Sequence, residues 1–156
     1  MALNTAPSFD TAMRNGVMQR ATNPARIEFA RHIGALSDRD VSRLLQLAGS
    51  ATWREVPSRE YITADVEFWE PCKRAFFILI PAGGKIHRHH DKAIEGTTHH
   101  LVLLTNANCL NWWIDDDGER HCHMAAGQRY EVARDPIHWA ENRGATDRIH
   151  LLVEYP

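Results

Sequence analysis

From Tyr61 to the end of the chain, β-branched and aromatic residues arrive in short runs broken by turn residues at roughly 8–12 residue intervals. That rhythm excludes a helical domain. The runs fall near 61–69, 74–80, 84–90, 98–105, 109–114, 119–124, 128–133, 137–141 and 147–155, and Pro81-Ala-Gly-Gly84 and Asp116-Asp-Gly118 are the clearest turns between them. The expectation is a mainly β chain whose strands close into a sandwich or barrel over about 61–156.

Upstream the period changes. Asn23-Pro24 reads as a cap followed by proline in the first turn of a helix, with Phe29, Ala30 and Ile33 on its apolar side. A second helix starts at Ser37, spaced from Asp40 as in a capping box, and Val41, Leu44, Leu45 and Ala48 recur at helical spacing. Gly49 stands where a C-terminal cap would. Two short helices over about 23–49 are therefore expected to cover one face of a sheet. Residues 1–22 show no sustained period and read as an N-terminal arm to a single domain spanning 23–156.

Composition narrows the function classes. A formal net charge of -2, with acidic and basic residues interleaved, provides no electrostatic footprint for nucleic acid or a membrane surface. The first residues lack the basic-then-apolar pattern of a signal peptide, and no apolar run approaches a spanning length, so a cytoplasmic location is expected. Cys72, Cys109 and Cys122 match no zinc or redox spacing and read as reduced thiols.

Ten histidines are present, and five of them crowd between His87 and His100. Strand alternation sorts them: His87, His89 and Asp91 are expected on one face, with Arg88 and His90 on the other. His89 and Asp91, joined by the distal His138, form a candidate 2-His-1-carboxylate triad, which would leave three positions on Fe(II) open for an oxidant and O2. Arg148 returns on the strand after the Asn142-Arg-Gly144 turn. On that last strand Arg148, His150 and Leu152 share one face, while Ile149, Leu151 and Val153 take the other. A cation placed there suits an anionic co-substrate, although a salt bridge to Asp147 or Glu131 would also account for it. Trp112, Trp113 and Trp139 are candidate pocket walls, of which the adjacent Trp112 and Trp113 must face opposite ways. His121 and His123 share a face without a carboxylate at useful spacing.

The order Ile86-His-Arg-His89-His-Asp91, His100-Leu-Val-Leu-Leu-Thr-Asn106, Gly127-Gln-Arg-Tyr130, His138-Trp-Ala-Glu-Asn142 and Arg148-Ile-His-Leu resembles the aspartyl/asparaginyl β-hydroxylase family of Fe(II)/2-oxoglutarate oxygenases, over about residues 66–156. The resemblance implies a double-stranded β-helix, a cupin-like jelly roll, with Fe(II) held by His89, Asp91 and His138. It also implies that Arg148 binds the far carboxylate of 2-oxoglutarate, with His100 near that co-substrate. The activity implied is a dioxygenase that hydroxylates an amino acid, an amino-acid residue or a related small molecule while converting 2-oxoglutarate to succinate. Thr98 departs from the pattern, because relatives commonly carry an arginine two residues before the histidine at position 100.

The main competing reading is a cupin holding a divalent metal through His87, His89 and His138, with Glu95 at a poor spacing for the fourth ligand. A non-catalytic binding protein on the same barrel is the other. Arg148 separates them from the oxygenase reading, since a cupin has no need of it.

Overall fold

The computed structural model describes residues 29–91 and 95–156. Eleven strands and one helix occur among them: β1 (Ala30–Ala35), α1 (Asp38–Ser50), β2 (Arg54–Glu55), β3 (Ile62–Asp65), β4 (Arg74–Ile80), β5 (Lys85–His89), β6 (Thr97–Leu104), β7 (Cys109–Asp115), β8 (Gly118–Cys122), β9 (Gln128–Val132), β10 (His138–Asn142) and β11 (Arg148–Tyr155). They make a seven-stranded sheet ordered β1-β9-β6-β11-β4-β3-β2 and a four-stranded sheet ordered β5-β10-β7-β8. Every pairing is antiparallel. This is the mainly β, jelly-roll architecture expected of the chain. The described residues include no helix long and apolar enough to cross a membrane.

The upstream expectation needs correction. Instead of continuing a helix, Ala30–Ala35 pairs with β9 at the edge of the large sheet, with Ala30 opposite Val132 and His32 opposite Tyr130. A short segment with few apolar positions takes whichever structure satisfies its backbone, and here a strand about a hundred residues away supplies the partner. Residues 1–22 and the Asn23-Pro24 start lie outside the described residues. The second helix forms as expected at its start, where Ser37 Oγ accepts from the Asp40 amide at 3.1 Å. Its end differs: the helix runs through Gly49 to Ser50, and Ala51 is the cap. The last turn's Ala48 carbonyl is met by the Ala51 amide at 3.3 Å and the Trp53 indole at 3.1 Å, so no glycine cap is required.

Two faces of the large sheet are buried, by different partners. On the outer face Leu44 and Ala48 of α1 pack against Phe77, Leu101, Leu151 and Val153. On the inner face, between the sheets, Val102 and Val132 meet Trp113, Met124 and Phe29, while Ile78 and Ile80 meet Ala140. Each fully buried aliphatic side chain contributes about 1.5–3 kcal/mol. The β10–β11 turn is clamped by buried Asn142, whose Nδ2 donates to the carbonyls of Ile80 (3.0 Å) and Thr146 (2.8 Å). Asn142 Oδ1 accepts from Asn106 at 3.1 Å. A Cβ at Gly144 would lie 2.1 Å from Asn106 Oδ1, so only glycine lets the turn close on this clamp.

Candidate functional site

A cavity of about 490 Å³ opens between the sheets and is bordered on one side by His89, Asp91 and His138 and at depth by Asn111 and Arg148. Neighbouring strands bring the three groups together, since β5 and β10 pair with His138 directly opposite His89. Asp91 Oδ1 lies 3.5 Å from His89 Nε2, and its Oδ2 lies 3.6 Å from His138 Nε2. One donor atom from each residue falls within 4.8 Å of the other two, the one such cluster of three among the described residues.

Local backbone sets the tautomer of both rings. His89 Nδ1 donates to the His87 carbonyl at 2.8 Å, and His138 Nδ1 donates to the Pro136 carbonyl at 2.7 Å. Both rings therefore turn an Nε2 lone pair toward Asp91, the arrangement in which a second hydrogen bond orients a metal-ligating imidazole. Burial pushes the His138 pKa below its usual value, which favours the neutral ring that a metal needs.

His87 does not join this face, contrary to strict alternation. The β5–β10 register slips between Ile86 and His89, so that three residues of β5 span two of β10. Ile86 and His89 both border the cavity as a result, while His87 lies 3.4 Å from Glu60 instead. The cupin ligand set with His87 is not assembled. A second bulge, between Ile149 and His150 in the β6–β11 ladder, interrupts the alternation of β6: His100 faces the cavity and Val102 the inner core, and Leu104 emerges as an exposed residue.

The deep end of the cavity is built on β11. Arg148 is 2% exposed, and its Nη2 donates to Asn111 Oδ1 at 2.7 Å and to His150 Nδ1 at 3.2 Å. Both partners are neutral, so the expected alternative of a salt bridge to Asp147 or Glu131 is not formed. Glu131 instead pairs with Arg31 at 3.1 Å. Because His150 Nδ1 accepts from Arg148, its ring proton sits on Nε2, and His100 Nδ1 lies 3.4 Å from that same His150 Nδ1. Burial drives the His100 pKa down to about 3, helped by the charge of Arg148, and it depresses His150 strongly for the same reasons. Arg148 is itself lowered by burial to about 10, which leaves it cationic at neutral pH.

Asn111 and His150 were not singled out by sequence. Each is a polar residue on an inward position of an otherwise apolar strand, and that position is the signal that could have found them. Three buried donors in this group have no acceptor among the described residues: Arg148 Nε, Asn111 Nδ2 and His150 Nε2. A cation ringed by orphaned donors is costly as it stands and suited to an anion with several acceptor oxygens.

Of the three tryptophans, Trp139 borders the cavity. Trp113 is buried against Phe29, with ring centroids 5.0 Å apart, and Trp112 stacks on Trp139 at 5.6 Å. His121 lies over Trp112 at 4.5 Å, whereas His123 Nδ1 donates to the Cys109 carbonyl at 3.0 Å, so the two histidines do not share a ligand position. All three cysteines are free.

Comparison with known proteins agrees with this geometry. A family model described as aspartyl/asparaginyl beta-hydroxylase matches residues 52–156. No curated protein matches the chain. Among solved structures, an oxidoreductase of the 2OG-Fe(II) oxygenase family from Burkholderia pseudomallei superposes with a TM-score of 0.67 at 10% identity, covering 81% of this chain and 84% of that one. A Pseudomonas putida prolyl-4-hydroxylase superposes at 0.61 and 13% identity, covering 81% and 91%. The Drosophila melanogaster CENP-C bound to CAL1 superposes at 0.55 and 13% identity, covering 74% and 94%. At these identities the likeness is one of fold.

Proposed function

Because the chain belongs to the aspartyl/asparaginyl β-hydroxylase family, we propose that it hydroxylates an amino acid, an amino-acid residue or a related small molecule. In this reading Fe(II) is held by His89, Asp91 and His138, and 2-oxoglutarate is held through Arg148. The observation that carries the reading is the set of orphaned donors on Arg148, Asn111 and His150 at the buried end of the same cavity that the triad borders. A cupin would have no use for them. A carboxylate would accept from all three.

When bound, iron and 2-oxoglutarate supply the oxidising chemistry: O2 is reduced as 2-oxoglutarate loses CO2 to give succinate, and one oxygen atom becomes the product hydroxyl. The chain's own part is placement. Backbone carbonyls at His87 and Pro136 hold the two imidazoles in the tautomer that presents Nε2, and Asp91 adds the anionic donor. Arg148, fixed by Asn111 and His150, meets a carboxylate through a planar fork that a lysine does not reproduce. His100, neutral and half-buried, walls the cavity between the two ends and contributes shape and a lone pair rather than charge. The three free thiols suit a reducing compartment, in keeping with action in the cytoplasm.

Anaerobic titration with Fe(II) and then 2-oxoglutarate tests the reading. It should produce the weak visible charge-transfer band of the chelate, and Arg148→Ala should lose the 2-oxoglutarate dependence while retaining iron. Iron binding with no response to 2-oxoglutarate in the unaltered protein would return the chain to the cupin reading.

A further inference from the structure

The wall of the cavity that neither the triad nor Arg148 accounts for is apolar. On the large sheet Phe76 of β4 lies opposite Leu152 of β11, with Ile78 next along the same face. On the small sheet Ile86 of β5 lies opposite Ala140 of β10. Phe76, Ile78, Ile86, Ala140 and Leu152 all border the cavity, together with the Tyr61 ring from the residue before β3. Ile78, Ile80 and Ala140 form a buried cluster, and Tyr61, Phe76, Ile86 and Leu152 pack on it while remaining only partly buried. Both sheets therefore turn uncovered apolar surface toward the cavity, which makes a slot rather than a filled core.

The slot reaches the triad through a backbone irregularity. In a regular strand Ile86 and His89 would point to opposite faces. The bulge in the β5–β10 ladder sends His87 toward Glu60 and brings Ile86 onto the cavity face with His89. One slip of register thus sets an isoleucine, in place of a histidine, beside a triad member, and re-aiming a side chain is what bulges next to sites do.

The charges around the slot suit a neutral occupant. Apart from the triad and Arg148, the acidic and basic residues other than histidine that border the cavity are Arg74, Arg134 and Glu154. Arg74 is held by Asp65 at 3.0 Å, with its guanidinium 4.3 Å from the centre of the Phe76 ring. Arg134 Nε donates to Thr98 Oγ1 at 2.5 Å. Both cations are engaged by the fold. A carboxylate presented to the triad along this slot would face Glu154 as well as Asp91, and a carboxamide would find no partner in the side chains of Phe76, Ile86, Ala140 or Leu152.

We infer that the group presented to the metal is a compact apolar side chain, branched aliphatic or aromatic, and that Ile86 and Phe76 select it. This rests on the reading of the triad as the iron centre of the same cavity. The C–H bond replaced by C–OH then belongs to that side chain, while the second oxygen atom of O2 leaves in succinate and the lost carboxyl of 2-oxoglutarate leaves as CO2. Ile86 and Phe76 are specificity-determining residues. The slot discriminates against the carboxylate and carboxamide side chains for which the family is named.

The test uses the full chain loaded anaerobically with Fe(II) and 2-oxoglutarate. The probes are leucine, phenylalanine, aspartate and asparagine, each as the free amino acid and as the N-acetyl amide, so that probes with the same ends differ in the side chain alone. Binding is measured by calorimetry. The leucine or the phenylalanine probe should bind about ten- to hundredfold more tightly than the aspartate and asparagine probes with the same ends, the ratio expected from burying one such side chain. In Ile86→Thr, which keeps the branched shape, and in Phe76→Ala, that ratio should fall severalfold, while the 2-oxoglutarate chelate band persists. The inference is overturned if none of the probes binds, if aspartate or asparagine binds as tightly as the apolar pair, or if the ratio survives both substitutions. Should either variant fail to fold, the comparison of side chains in the unaltered protein still decides. If the chelate band never forms in the unaltered protein, it is the oxygenase reading that fails, and the two failures are told apart in one experiment.

Discussion

The two faces of β11 are buried to nearly the same degree and made of opposite chemistry. Leu151 and Val153, both 0% exposed, face α1 and close an apolar cluster. Arg148 and His150, at 2% and 0%, face the cavity with donors that no group among the described residues accepts. At the start of the strand, alternation puts a residue of one kind beside a residue of the other, so stability and chemistry are separated by a single peptide unit. The outer face has its interactions complete within the fold. The inner face leaves donors unmatched among the described residues, and a fold that retains such a cost invites a functional explanation.

The largest expected effect lies on the inner face. Asp91→Ala removes the only anionic donor of the triad and should weaken Fe(II) binding by more than about a hundredfold, beyond what loss of a supporting contact to a metal ligand costs. The metal-free protein should keep its Tm, because Asp91 is half-exposed and packs against no core cluster. Metal titration and thermal melting of this one variant check both halves. Retained iron would remove Asp91 from the site.

The outer face should answer in the other direction. Leu151→Ala empties a position with no exposure and should cost about 2–5 kcal/mol in denaturant unfolding. Iron affinity measured below the unfolding transition should be unchanged. A variant that loses iron while still folded would show that the two faces are coupled and that the separation drawn above is too sharp.

Arg148 gives a smaller and more selective effect. Arg148→Ala should weaken 2-oxoglutarate binding by about one to two decades, and Arg148→Lys by less, from the loss of charged hydrogen bonds of roughly 1.5–3 kcal/mol. Since the buried guanidinium has only neutral partners among the described residues, the alanine variant should be no less stable without ligand, in contrast to Leu151→Ala. A fall in Tm with an unchanged 2-oxoglutarate dependence would make Arg148 a structural residue.

How far the sequence could be read follows from the same alternation. It placed β4 at its observed limits, 74–80, and sorted β11 into its two faces, because both are regular strands whose ladder to each other holds register throughout. It failed where a ladder slips. His87 was expected beside His89, and it is turned away by a bulge that depends on the partner strand and leaves no mark in local composition. The helix expected over Phe29, Ala30 and Ile33 failed for a related reason, since β1 exists through its pairing with β9. The convergence of His89, Asp91 and His138 was legible because the three are chemically conspicuous. Asn111 and His150 were not, because an amide and a tenth histidine acquire meaning only from what surrounds them.

The last expected effect concerns protons. His100, His138 and His150 all have pKa values lowered by burial, His100 to about 3, so the folded protein keeps these rings neutral where the unfolded chain, near the usual 6.5, protonates them. Between about 6.5 and 3 the unfolded state therefore binds more protons, and stability must rise with pH across that window and level off above it. Each such ring adds at most about 1.4 kcal/mol per pH unit to the slope. Replacing His100 with Gln should flatten the acid limb of the metal-free protein by up to one proton's worth, while Leu101→Val, the neighbouring residue on the outer face, should lower stability by a constant amount at every pH. Urea unfolding at a series of pH values gives both slopes. An acid limb unchanged in His100→Gln would mean that the ring is not held neutral by its burial, and the inner face would then be less dry than its unmet donors imply.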